Sequence, residues 1–220
     1  MKKIFLVLFV AVAALVLLVN AGVLPSLHRA VKPLIMISLA GYYWVSMPAG
    51  ERSVVLLAAL FFSWVGDVLL MFNGAGFFLG GLGGFLIAHI FYVVAYRQHK
   101  RTEGDGLHGV QKARYAFPVI LAGTGLLVIL MPVLGEMKIP VALYALVLVV
   151  MVLTALFRLG FTGLRSFWMV LAGAVLFLIS DSTIAINKFL QPVPYAGLLI
   201  MSTYMAAQWL IVEGLIGHKE

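Results

Sequence analysis

Eight apolar runs, each about as long as a bilayer is thick, constrain this chain more than anything else in its sequence. Bounded by charge, Pro or Gly, they lie near residues 4–20, 33–48, 53–72, 77–96, 115–133, 139–157, 166–187 and 195–216. A helix needs ~20 apolar residues to cross the hydrocarbon core. Eight such spans with short connections use up the 220 residues, which leaves no stretch for a soluble domain. The expected fold is therefore all-α: one polytopic membrane domain over 1–220 with about eight transmembrane helices. Composition agrees, with 64% hydrophobic and only 10% charged residues, far from the soluble average. The first run follows Lys2 and Lys3 and ends at Val19-Asn20-Ala21, which gives it the outline of a signal peptide. Its length and the spans behind it make it read as an uncleaved first helix instead.

Charge sets the expected orientation. With the amino terminus inside, Lys2, Lys3, Arg52, Arg97, Lys100, Arg101, Lys112, Arg114, Arg158, Arg165 and Lys219 fall on the cytoplasmic side. Only Arg29, Lys32, Lys138 and Lys188 fall outside. Eleven against four is a strong positive-inside bias. It places both termini in the cytoplasm, and it accounts for the net charge of +7 without a nucleic-acid partner. The expected location is a bacterial inner (cell) membrane. No cysteine is present, so disulfides and thiolate metal sites are excluded.

The basic loop Arg97–Arg114 divides the chain into two groups of four spans, and these look related. The third span carries Gly66-Asp67-Val68-Leu69-Leu70-Met71-Phe72-Asn73. The seventh carries Ser180-Asp181-Ser182-Thr183-Ile184-Ala185-Ile186-Asn187. Each has a small residue, an Asp, an aliphatic three positions on and an Asn six positions on. Four spans per half make the halves run the same way, which permits a parallel 4+4 repeat. Asp67 and Asp181 are then expected at similar depth, in the outer half of the bilayer.

These two are the only acidic residues well inside spans; Glu213 is near an inner end, where its side chain can reach the interface. An Asp inside a span costs about 2.5–3.5 kcal/mol on insertion scales, so it usually faces a bundle interior or cavity and marks function. Other polar groups can join the pair. His89 and Tyr92 share a face of the fourth span, and Tyr204 and Gln208 share one of the eighth. Lys32 precedes Pro33 at the outer start of the second span, as an interfacial anchor or as a cation for an anionic head group. Ser63 and Ser180 lie in no nucleophile elbow. A metal on Asp67, Asp181 and His89 lacks a recognisable ligand spacing, so no metal and no cofactor are expected. His99 and His108 read as solvated loop residues. Six glycines between Gly74 and Gly84 suit either tight helix packing or irregular backbone beside a cavity.

Together these polar positions resemble the YhhN-type lysoplasmalogenase family of integral membrane proteins. The resemblance rests on Lys32-Pro33-Leu34, Gly66-Asp67 with Leu69-Leu70, His89-x-x-Tyr92, Phe177-x-x-Ser180-Asp181, and Tyr204-x-x-Ala207-Gln208 with Leu210-Ile211, in the family's order over nearly the whole chain. It implies a lysophospholipid substrate held among membrane lipids, and hydrolysis of the lysoplasmalogen vinyl ether to a fatty aldehyde and a glycerophospho-alcohol. A vinyl ether opens by protonation of its outer alkene carbon, through an oxocarbenium ion that water captures. Paired carboxyls suit that chemistry, one protonated and one ionised, as in glycoside hydrolysis. The resemblance makes Asp67, Asp181 and His89 the expected catalytic residues, with the acid on Asp67 or, in the exchanged arrangement, on Asp181. Lys32, Tyr92, Tyr204 and Gln208 are the expected substrate-binding residues. A small proton-coupled transporter, or a non-catalytic lipid-binding membrane protein, would use the same residues otherwise.

Overall fold

The computed structural model describes residues 1–218, so Lys219, one of the expected cytoplasmic charges, lies outside the described residues. The described residues form helices and no strand: α1 (Lys2–Asn20), α2 (His28–Val31), α3 (Leu34–Ser46), α4 (Val54–Leu69), α5 (Ala75–Gln98), α6 (Gly109–Leu130), α7 (Lys138–Leu156), α8 (Leu164–Ala185) and α9 (Ala196–Ile216). Six of them are long and apolar enough to cross a membrane, and α4 is a shorter apolar helix. The protein is a multi-pass membrane protein. The second apolar run is where the helix falls short, at 13 residues. Pro33 interrupts it, because proline donates no backbone hydrogen bond. Lys32 and Pro33 nevertheless keep right-handed helical angles, so α2 continues almost directly into α3. From 28 to 46 the chain then rises about 28 Å at 1.5 Å per residue.

Local chemistry fixes the helix ends. Ser53 caps α4 by accepting from the Leu56 amide at 3.2 Å. His108 and Gln111 form a reciprocal capping box at the start of α6. Gly74, at φ +125°, makes the turn into α5 that a side chain would strain. The seventh run ends differently from expectation: α8 stops at Ala185 and a π-helical turn follows, Ile186–Leu190. The Asn187 side chain closes this segment by accepting from the Val193 amide at 2.9 Å.

Packing repeats between the halves. α4 with α5, and α8 with α9, are the two most closely packed pairs. α1 packs on α3 as α6 packs on α7, while α3 meets α9 as α7 meets α5. This correspondence is what a parallel repeat about the membrane normal requires. Small residues permit both close pairs. On α4–α5, a Cβ added at Gly84 would lie 3.0 Å from the Gly66 nitrogen and 3.1 Å from its Cα. On α8–α9, a Cβ at Gly173 would lie 2.8 Å from the Ala207 carbonyl oxygen. The glycine cluster before Gly84 thus serves tight packing at that end and a turn at Gly74.

A pair of substitutions tests this. Gly84→Ala meets backbone, which cannot swing aside, and should cost about 1–3 kcal/mol, as overpacking does. Gly83→Ala has nothing within 4 Å and should be neutral or gain up to ~1 kcal/mol from helix propensity. Thermal unfolding of the two detergent-solubilised variants reads the difference; equal midpoints would show that α4 and α5 do not meet through Gly84.

The loop Arg97–Arg114 is less open than its polarity suggests. The Arg101 amide donates to the Phe161 carbonyl at 2.8 Å, so the loop docks on the α7–α8 connection. Arg158, expected as a loop cation, is 1% exposed. Its guanidinium donates to the His99 carbonyl at 2.9 Å and to Ser166 Oγ at 3.0 Å. His99 is buried, contrary to the expectation of a solvated ring, and packs edge-on against His218. His108 is exposed, as expected. Glu213 sits half-buried between α1, α3 and α8, accepting from the Tyr42 hydroxyl at 2.5 Å with Lys2 and Arg165 within 4 Å.

Candidate active site

Asp67 and Asp181 occupy similar places, each near the carboxyl-terminal end of its helix, α4 and α8. Both are withdrawn from solvent, at 2% and 9% exposure. Each receives one neighbour from its own half and one from the other. Asp67 has Lys32 Nζ at 3.5 Å from Oδ1, and the Tyr204 hydroxyl from α9 donates to its Oδ2 at 2.6 Å. Asp181 accepts from the Tyr144 hydroxyl of α7 at 2.5 Å, and His89 Nε2 of α5 lies 3.8 Å from the same oxygen. The second contact is too long for a hydrogen bond. The geometry is alike and the chemistry is not. Asp67 has a fixed ammonium beside it, and Asp181 has a hydroxyl and an imidazole.

Aromatic rings stand between the two poles. Phe177, four residues before Asp181 on α8, packs edge-on against His89 at 4.6 Å between ring centres and against Tyr204 at 5.4 Å. Phe85 packs edge-on against both Phe177 and Tyr204. Two apolar pockets meet at Asp181 and Tyr144, and Asp181 is the single carboxyl lining either one. Asp67 lines neither.

The remaining expected site residues fall into a third group. The Tyr92 hydroxyl donates to Gln208 Oε1, and Gln208 Nε2 donates to Ser63 Oγ at 3.1 Å. This network lies one turn from Asp67 on α4 and is buried throughout. It ties α4, α5 and α9 together, with neither Tyr92 nor Gln208 lining the two pockets. Ser180 donates to the Ile200 carbonyl at 3.1 Å, so its hydroxyl proton is engaged by backbone. His89 is fully buried, and among the described residues neither ring nitrogen has a hydrogen-bond partner. Buried polar groups are nearly always paired, by protein, water or ligand. Of the expected site residues, His89 is the one whose fully buried polar atoms find no hydrogen-bond partner among the described residues.

The YhhN family model matches residues 27–215, a range that contains every one of these side chains. The chain belongs to the YhhN family. Lysoplasmalogenase TMEM86B of Homo sapiens is 36% identical over 181 residues, spanning 82% of this chain and 72% of the relative. Lysoplasmalogenase TMEM86A of Homo sapiens is 36% identical over 183 residues, spanning 81% and 70%. A lysoplasmalogenase of Mycobacterium tuberculosis is 34% identical over 181 residues, spanning 80% and 66%. No solved structure matches the chain.

One residue of this YhhN protein's site escaped the sequence reading. Tyr144 is one of eight tyrosines and sits in an otherwise apolar span, where a ring with a polar tip reads as ordinary packing. The signal lay in the repeat. Tyr144 stands to Asp181 on α7 much as Lys32 stands to Asp67 at the start of α3, so aligning the halves points to it.

Proposed function

We propose that this YhhN-family protein hydrolyses the vinyl ether bond of lysoplasmalogens, releasing a fatty aldehyde and a glycerophospho-alcohol. Similarity to enzymes named lysoplasmalogenase supports the reaction. The observation that carries the mechanism is Asp181, a lone carboxyl in an apolar pocket with no Lys or Arg within 4 Å among the described residues.

The asymmetry of the two poles favours the exchanged assignment of roles. Lys32 compensates an ionised Asp67, and nothing comparable compensates Asp181. An uncompensated charge in an apolar site is costly, so Asp181 carries the proton. It delivers that proton to the outer alkene carbon, and the electron pair of the double bond leaves an oxocarbenium ion at the carbon bearing oxygen. The Asp181 carboxylate just formed lies beside that cation and stabilises it. A water held by the spare nitrogen of His89 adds to the cation and returns a proton to Asp181. The hemiacetal then collapses to aldehyde and alcohol. Tyr144 is a positioning residue, fixing the Asp181 carboxyl through Oδ2. Asp67 adds negative potential from behind the aromatic wall. The charge distribution supports cytoplasmic termini and a site in the outer half of the bilayer.

Aldehyde release by purified, detergent-solubilised protein tests the proposal. A protein that only binds lipid, or only moves protons, releases none. Bond selectivity follows from the same chemistry. Ester hydrolysis needs an activated nucleophile and donors for a developing oxyanion. Ser63 accepts from Gln208 and Ser180 is turned to backbone, so the ester-linked lysolipid with the same head group should bind and survive. Its cleavage at a rate comparable to the vinyl ether would refute acid-initiated chemistry.

A further inference from the structure

The two pockets at Asp181 are lobes of unequal depth. They share Val141, Tyr144, Asp181 and Ala185. The first lies toward the outer ends of α4 and α8, between Leu70, Phe78 and Phe189, and its deepest α5 residue is Phe85. The second runs between α6, α7 and α8 and passes Asp181 toward the bilayer centre. Leu148 lies a turn beyond Tyr144 on α7, Leu178 lies nearly a turn before Asp181 on α8, and the α6 wall descends from Leu130 to Gly123. At 1.5 Å per residue this lobe is about 10 Å long, with its lower ~5 Å below the carboxyl.

The first lobe has a cation beside its mouth. The π-turn after α8 turns Phe189 into that lobe. It also lays Lys188 over the ring of Phe78, 4.5 Å from its centre. Lys188 is exposed and lies in no ion pair among the described residues. π-turns interrupting a helix end often mark functional sites.

A lysolipid has a fixed direction in a bilayer, with phosphate at the interface and chain toward the centre. Its vinyl ether is the junction between the two. With that bond at Asp181, only the glycerol carbons pass through the first lobe, the phosphate lies outside it at the interface beside Lys188, and the chain has one way on. We infer that the crevice between α6, α7 and α8 is the binding site for the substrate's alkenyl chain, which rests on the reaction proposed above. α6 suits a wall that admits a chain from the side. Its buried residues, Ala116, Gly123 and Leu130, recur every seven positions in a single seam flanked by the half-buried Val119, Leu126 and Leu127, and most of the rest of the helix is exposed.

Ala145, next to Tyr144 and lining only the second lobe, provides the test. Ala145→Phe fills that lobe. Purified variant and wild type are compared on lysoplasmalogens bearing a hexadecenyl or a propenyl chain, the latter too short to enter the lower part of the lobe. For Ala145→Phe the hexadecenyl substrate should lose ~10-fold or more in kcat/KM, the scale on which a pocket rejects surplus methylenes. The propenyl substrate should lose much less. Leu82→Phe, which adds bulk to the first lobe, should depress both substrates alike. Should Ala145→Phe fail to fold, Ala145→Leu carries the same expectation. Equal losses for both chains in the Ala145 variant, or chain-length discrimination in Leu82→Phe instead, would overturn the inference while aldehyde release by wild type upholds the reaction. A wild type that releases no aldehyde would overturn both.

Discussion

Asp181→Asn is expected to lower kcat for vinyl ether hydrolysis by at least ~10²-fold, the lower end of what general acid–base groups contribute. The amide keeps the shape of the carboxyl, and its oxygen can still accept from Tyr144. What disappears is the transferable proton and, after transfer, the anion beside the oxocarbenium ion. Both matter only once the alkene is attacked, so KM should change little. Tyr144→Phe separates positioning from chemistry. It removes the hydroxyl that holds Oδ2 at 2.5 Å but leaves the acid, so kcat should fall less than in Asp181→Asn. Unfolding midpoints measured beside the kinetics identify any loss due to misfolding. A well-folded Asn variant keeping more than about a tenth of wild-type turnover would remove Asp181 from general acid catalysis.

Much of the architecture is visible in the sequence because a bilayer permits so little else. Backbone polar groups in hydrocarbon must be satisfied within the segment, so each apolar run becomes a helix, α3 falling short where Pro33 interrupts it. The two intramembrane carboxyls are visible for the related reason that an Asp in a span is too costly to be incidental. Their environments are not. Lys32 looked equally able to anchor at the interface or to meet a head group, and which applies depends on whether α3 starts beside α4. In the fold its ammonium lies 3.5 Å from Asp67. Tyr92 and Gln208 lie on helix faces turned toward Asp67 rather than toward the pockets, a consequence of helix rotation that spacing alone does not fix. His99 reads as solvated because of its place beside a charged loop, and nothing in the sequence marks Arg158 as buried. That loop folds back on the α7–α8 connection, where a buried guanidinium satisfies its carbonyl.

The Lys32–Asp67 pair carries the second large effect, and a double-mutant cycle resolves what the pair does. Removing one member of a buried ion pair typically costs about 3–5 kcal/mol, because the other charge is stranded. The two single variants should not be equal. Lys32→Met strands the Asp67 carboxylate, which is 2% exposed and attached by a short side chain that cannot reach water. That variant should approach the full cost, or express poorly. Asp67→Asn strands an ammonium on a long flexible stem at the outer end of a helix, where it can reach the interface. Its cost should be clearly smaller, and the amide oxygen can still accept from Tyr204. Lys32→Met combined with Asp67→Asn strands nothing and should recover most of the stability lost in Lys32→Met alone. Thermal unfolding in a fixed detergent measures each corner of the cycle. Activity of the double variant then separates two roles. If Asp67 serves only to fix α4 against Lys32 and Tyr204, the refolded double variant should turn over near the wild-type rate. If its negative potential stabilises the oxocarbenium ion through the aromatic wall, as proposed, the double variant should be stable and still slow. A stable double variant with wild-type kcat would leave Asp181 as the only carboxyl in the reaction.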